Sequence, residues 1–156
     1  SFMYIYKYIQ LSTFLLCLAS IWSDHQYLFK IHNDNIFFLY IGIAVSGIAI
    51  TLFAISRFSL GKNYSPCYDS YMPKSLKTTG IYSLVRHPIY SSNILLMIGI
   101  FISTGSLIIA ANTIILFIYY ILSAFIEERA IIKKFPKYRS YKGRTGMFLP
   151  SFSRMI

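Results

Sequence analysis

Negative charge is what this chain has least of. Its 156 residues hold five acidic side chains, Asp24, Asp34, Asp69, Glu127 and Glu128, against fifteen lysines and arginines. Charged residues of both signs make up only 13% of the chain, where soluble domains lie nearer about a quarter. That shortage excludes an ordinary soluble domain, which needs a charged coat around its core. Cysteine is scarce too. Cys17 lies in an apolar run and Cys67 in a polar segment, so no disulfide framework is expected. No internal repeat stands out. The first apolar run leads to no small-residue cleavage site, so no cleavable signal is expected.

What is present is apolar. Hydrophobic residues make up 56% and the mean hydropathy is +0.56. A net charge of +10 would suit nucleic acid if it covered one solvated face. It falls instead in blocks between apolar runs, as the flanking loops of membrane spans do. The expected partner is therefore the bilayer and not nucleic acid.

Four apolar stretches can be read, at about Met3–Trp22, Ile36–Ser56, Pro88–Ile102 and Leu107–Ile126. A helical span needs about 20 residues, and the third reaches that only if its helix starts at the His87-Pro88 step. Ser103 to Ser106 alone separates the third from the fourth, which predicts an antiparallel helical hairpin. The expected architecture is all-α: a polytopic membrane protein with about four transmembrane helices in one domain, 1–156. Two N-terminal spans occupy 1–56, a cytoplasmic loop 57–87, the hairpin 88–126, and a cytoplasmic C-terminal segment with an amphipathic helix 127–156. Sidedness follows from the cations. Fourteen of the fifteen fall on one side of this scheme, Lys30 being the exception. The positive-inside rule then puts both termini and the long loop in the cytoplasm.

The two glutamates are neighbours at the inner end of the fourth stretch, where carboxylates are costly and mark function by default. Pairing along a helix needs a cation three or four residues away. For Glu127 those positions hold Ser123, Ala124, Ala130 and Ile131, and for Glu128 they hold Ala124, Phe125, Ile131 and Ile132. None is basic. The pair is either solvated or answered from elsewhere, by another element or by a cationic ligand. Arg86 and His87 are the natural counterparts, because a hairpin brings the start of the third span beside the end of the fourth. Pro88 suits the first turn of a helix, and the residue before a proline is pushed away from helical angles. His87 is thus expected at the kink between loop and span. Simple anchoring of Arg86-His87 at the membrane interface is the plainer alternative.

These residues carry a resemblance. "TTGIYSLVRHPIYSS" (Thr78–Ser92) with "FIEERAIIKKFPKYRSYKGRTGMFLP" (Phe125–Pro150) resembles the isoprenylcysteine carboxyl methyltransferase and phospholipid methyltransferase superfamily. Gly80, Tyr82, Val85, Arg86, His87, Pro88, Tyr90, Glu127, Glu128, Phe135, Tyr138, Tyr141 and Pro150 fit the pattern. Ile81 stands where many members have proline, and Ser92 where many have glycine. The resemblance implies an integral-membrane methyltransferase using S-adenosyl-L-methionine, with S-adenosyl-L-homocysteine as product and a lipid or lipidated acceptor. It implies cofactor-binding roles for Tyr82, Leu84, Val85, Arg86, His87, Pro88, Tyr90, Glu127 and Glu128, the Tyr82–Val85 backbone lying near the adenine.

Methyl transfer from a sulfonium is an in-line displacement, so the protein mainly positions two reactants and excludes water. Carboxylates suit the cofactor's ribose hydroxyls or ammonium, and an arginine suits its carboxylate or one of the glutamates. Arg139 and Arg144 are candidates for positioning an anionic acceptor, such as the carboxylate of an isoprenylated cysteine. The basic and aromatic tail around them equally suits anionic lipid headgroups. A phospholipid amine is an alternative acceptor. Membrane sterol reductases that use NADPH share part of the pattern, and a non-catalytic membrane module would share the fold. His25 and His32, with Asp24 and Asp34 nearby, read as a solvated loop and not as a metal site, and no metal is expected.

Overall fold

A computed structural model of the chain describes residues 35–61 and 75–151, together with positions 8, 11, 12, 15, 18, 19 and 31. Most of the first apolar stretch, the outer-loop histidines His25 and His32, both cysteines and the loop tyrosines Tyr64, Tyr68 and Tyr71 lie outside the described residues.

The described chain is helical. Helix α1 (Ile36–Leu60) starts at Asn35, whose side chain accepts the Phe37 N–H at 2.9 Å and so answers one of the free donors of the first turn. It stops at Gly61, whose φ of 53° lies outside helical space. A 3-10 turn at Gly80–Ser83 leads into helix α2 (Pro88–Thr104), which opens with proline at its first position. There the missing N–H costs nothing. Gly105, at φ 64°, ends α2 in the left-handed cap that glycine adopts without strain. Ser106 then caps helix α3 (Leu107–Lys134), and the short helix α4 (Tyr138–Lys142) follows.

α1 and α3 are long and apolar enough to cross a membrane, while α2 has 17 residues. α1 leaves Ile43, Ile48, Ile50, Ile55 and Phe58 exposed, which is the surface a lipid-facing helix presents. α2 and α3 pack through Met97, Ile109, Leu116 and Tyr120. α1 and α2 cross through small residues instead. A Cβ on Gly42 would stand 2.5 Å from the Gly99 carbonyl oxygen, and one on Gly99 would stand 2.4 Å from Ser46 Oγ. Backbone meets backbone there, which is how helices associate in lipid without a hydrophobic driving force.

Two boundaries differ from the sequence expectation. The helix outlasts the fourth apolar stretch: α3 runs past Ile126 to Lys134, so both glutamates lie inside it. Its last turns persist because Ile131 is buried with Tyr138 and Tyr141, and the helix stops where Phe135 precedes Pro136. The expected amphipathic tail helix is only the five residues of α4, with Tyr138 and Tyr141 turned inward. Beyond it, Thr145 to Phe148 folds back alongside Val85 to Ser91. Val85 and Gly146 form a parallel bridge, among the described residues an isolated one.

Candidate functional site

The segment that carries Arg86 and His87 is held by main chain. Arg86 N donates to the Gly146 carbonyl at 2.8 Å and His87 N to that of Met147 at 3.0 Å. Ser91 Oγ donates to the Phe148 carbonyl at 2.7 Å. Gly146 lets the tail turn tightly on itself, since a Cβ there would stand 1.8 Å from the Leu149 carbonyl oxygen. From the other side the Tyr141 hydroxyl donates to the Tyr82 carbonyl, and the Tyr82 hydroxyl donates to that of Ser56 at 3.4 Å. α1, α4 and the tail thus fix one loop, and the residues after it inherit that order.

Arg86 and Glu128 form the buried centre. Arg86 Nε donates to Glu128 Oε1 at 2.6 Å, with side chains 8% and 1% exposed. The same guanidinium donates through Nη1 to the carbonyls of Lys142, at 3.2 Å, and Thr145. His87 Nε2 lies 3.2 Å from Glu128 Oε1, and the Tyr138 hydroxyl donates to that oxygen at 3.5 Å. Lys142 Nζ stands 2.8 Å from Oε2, off the line of a hydrogen bond, so this buried oxygen has charge compensation but no aligned donor. A buried carboxylate survives only with such company.

Glu127 lives differently. Its side chain is 33% exposed, and Oε2 lies 3.6 Å from His87 Nδ1 and accepts from the Tyr90 hydroxyl at 3.2 Å. His87 therefore bridges the two carboxylates, one through each ring nitrogen. Its ring stacks on Tyr90 (5.3 Å, interplanar angle 2°), and Tyr90 stacks on Tyr120 (4.8 Å, 20°). Asn93 holds the Tyr120 hydroxyl at 3.1 Å. The result is an aromatic wall running from the charge cluster into the helical core. On α4, burial pushes the Tyr141 hydroxyl up to about 12, against the pull of Arg86 and with the push of Glu128. Burial raises Tyr138 as well, and Glu128 adds to the rise.

Of the residues read from the sequence, Arg86, His87, Tyr90, Glu127 and Glu128 share one cluster, with Pro88 buried at its base. Tyr82 and Val85 stand behind them as clamped and bridged loop residues. Leu84 is exposed. Arg139 and Arg144 are exposed too; Arg144 Nε bonds back to the Ser140 carbonyl at 3.3 Å, outside the cluster. Three participants were not singled out: Lys142, Tyr120 and Phe148. Lys142 follows Tyr138 by four residues, a helical spacing that puts both on one face. That signal was readable, but only the fold brings this face onto Glu128.

Residues 37–138 match the family model described as phospholipid methyltransferase. The chain is 33% identical over 116 residues to the cobalt-zinc-cadmium resistance protein CzcN of Cupriavidus metallidurans, covering 72% of this chain and 54% of that protein. It is 30% identical over 114 residues to the methanethiol S-methyltransferase of Pseudomonas deceptionensis, covering 69% and 42%. The chain thus spans about half the length of the curated relatives it matches. Its fold is similar to that of the eukaryotic intramembrane Ras methyltransferase ICMT (isoprenylcysteine carboxyl methyltransferase), with a TM-score of 0.70 at 22% identity over 93% of this chain and 52% of that one. α1 and α3 are long and apolar enough to cross a membrane by length and composition. With 37–138 matched and Arg86, His87, Tyr90 and the glutamate pair in one cluster, the chain belongs to the phospholipid methyltransferase family.

Proposed function

We propose that this chain catalyses methyl transfer from S-adenosyl-L-methionine to a lipid-type acceptor in the membrane, releasing S-adenosyl-L-homocysteine. The observation that carries this reading is the division of labour in the glutamate pair: Glu128 is consumed by internal cations, while Glu127 is left partly open beside His87 and Tyr90.

The donor set fits the cofactor. Among the described residues Glu127 engages only Oε2, which leaves a carboxylate oxygen for an ammonium or for ribose hydroxyls. The stacked faces of His87, Tyr90 and Tyr120 suit a flat base or a sulfonium. Tyr82, Leu84, Val85 and Pro88 would line the adenine side through backbone and apolar contact. Bound there, the cofactor supplies a methyl group already activated on sulfur. The residues have to orient and to exclude water. Arg86 and Glu128 do the orienting: they fix the His87 ring and tie α4 and the tail to the start of α2. Phe148, tilted 6.1 Å from His87, covers the cluster on the tail side.

For the acceptor, the favoured class is the carboxylate of an isoprenylated cysteine. Arg139 and Arg144 are exposed on α4 and the turn after it, where an anionic head could meet them. The reading includes four spans, a multi-pass chain and a cytoplasmic site. The exposed cations Arg129, Lys133, Lys134 and Lys137 around the inner end of α3 support that side.

The test is transfer of labelled methyl from S-adenosyl-L-methionine in nanodiscs, offered S-farnesylcysteine or phosphatidylethanolamine. S-adenosyl-L-homocysteine binding is titrated in parallel on wild type and Glu127→Gln. Weakened binding in the variant and label on the farnesyl compound are expected. Label on the amine alone would replace the acceptor class. Equal binding by the two proteins would remove Glu127 from the site.

A further inference from the structure

Serine and threonine hydroxyls in apolar helices have one standard resting place, the carbonyl four residues back. Among the described residues Thr51, Ser56, Ser91, Ser103, Thr104 and Thr113 use it, at 2.6–3.1 Å. Ser123 does not. It is 7% exposed, in α3, and its Oγ has no hydrogen-bond partner. A buried hydroxyl left unpaired is costly, and each such case in a folded protein asks for a reason.

Its position supplies one. Ser123 lies one helical turn before Glu127, so the two share a face of α3. Tyr120, which stacks on Tyr90, is three residues earlier on the same side. Buried Ala124 and Glu128 follow on that flank. A group bonded to Ser123 would therefore sit about 6 Å along α3 from one bonded to Glu127, toward the apolar middle of the helix. Glu127 marks the cofactor level in the proposed function, on which this inference rests. The level one turn deeper is where an acceptor arriving through the bilayer brings its reactive end. The helix leaves the hydroxyl hydrogen of Ser123 undirected, so it is free to donate.

We infer that Ser123 is an acceptor-positioning residue: its hydroxyl donates a hydrogen bond to the oxygen-bearing polar head of the lipid substrate, one turn deeper than the cofactor.

Steady-state kinetics of the full chain in nanodiscs test this, with S-farnesylcysteine and phosphatidylethanolamine as probes and wild type, Ser123→Ala and Ser123→Thr compared. Loss of a hydrogen bond to a charged group predicts an increase of about tenfold or more in KM for the methylated acceptor in Ser123→Ala, with recovery in Ser123→Thr. S-adenosyl-L-homocysteine affinity is expected to stay within about twofold, and thermal stability to stay equal or rise, since an apolar methyl replaces an unpaired polar atom. A structural hydroxyl would show the reverse, a lower melting point with unchanged KM, and would overturn the inference. Unchanged KM in a protein whose wild type turns over would do the same and leave the proposed function standing. Weaker S-adenosyl-L-homocysteine binding would move Ser123 to the cofactor level and also overturn it. No turnover by wild type on either probe would remove the proposed function, and this inference with it.

Discussion

The two glutamates differ by one residue in sequence and should differ in kind when removed. Glu128→Ala takes from Arg86 the one carboxylate it pairs with among the described residues, and the Arg86 side chain is only 8% exposed. Lys142, at 39% exposure, can turn outward, but the guanidinium cannot. Removing one member of a buried pair costs about 3–5 kcal/mol, most of it the uncompensated charge left behind. Glu127→Ala instead removes one hydrogen bond from Tyr90 and a longer contact with His87, both at a partly exposed carboxylate. That is worth about 1 kcal/mol. At roughly 2–4 °C per kcal/mol for chains of this size, Glu128→Ala should lower the apparent melting point by about 6–20 °C and Glu127→Ala by a few degrees. Thermal unfolding in one detergent at a fixed heating rate, without ligand, reads both. Titration with S-adenosyl-L-homocysteine at a temperature where all are folded completes the comparison, and Glu127→Ala should be the weaker binder. A Glu128→Ala protein no less stable than Glu127→Ala would refute the division of labour.

Three further outcomes are expected. Gly42→Val should separate α1 from α2, because a Cβ there meets the Gly99 carbonyl at 2.5 Å and backbone cannot yield as a side chain would; overpacking of this kind costs about 1–3 kcal/mol, read as a lower melting point. Gly146→Ala should force open the tail's own turn, because its Cβ would meet the Leu149 carbonyl, seen as faster protease cleavage after Arg144, while Gly143→Ala, with no atom within 3.4 Å of its added Cβ, should not. Stability should also fall as pH rises from about 10 to about 12, since the unfolded chain loses the Tyr141 proton near its ordinary value while the folded chain keeps it up to about 12. Its stabilising contribution is complete below about 10 and lost through about 12; Tyr141→Phe should flatten that part of the alkaline limb, as measured by melting points across the range.

Much of the candidate site was legible because it rests on local rules. The His87-Pro88 step had to be a helix start, since proline loses nothing at a first position and its predecessor avoids helical angles. The glutamates had no cation three or four residues away on their own helix, which left solvation or a partner from elsewhere, and the partners are Arg86, His87 and Lys142. The fourth apolar stretch ends at Ile126, before Glu127 and Glu128, but α3 runs on to Lys134. Helix continuation there depends on Ile131 packing against Tyr138 and Tyr141, which is a contact and not a pattern. Arg139 and Arg144 are tail arginines suited to an anionic acceptor. α4 turns its tyrosines inward and leaves those two arginines exposed, and Lys142 is the tail cation that reaches Glu128.

The sequence by itself determined where α1, α2 and α3 begin, and that Arg86 and His87 are the natural counterparts of the acidic pair. Hydropathy, proline and the cost of unpaired charge in lipid act at short range along the chain. Only the tertiary structure decided which glutamate is sealed and which is left open, which tail cation reaches the centre, and why Gly42, Gly99 and Gly146 carry no side chain. Those outcomes turn on distances of a few ångströms between segments far apart in sequence, which packing sets and residue order alone does not.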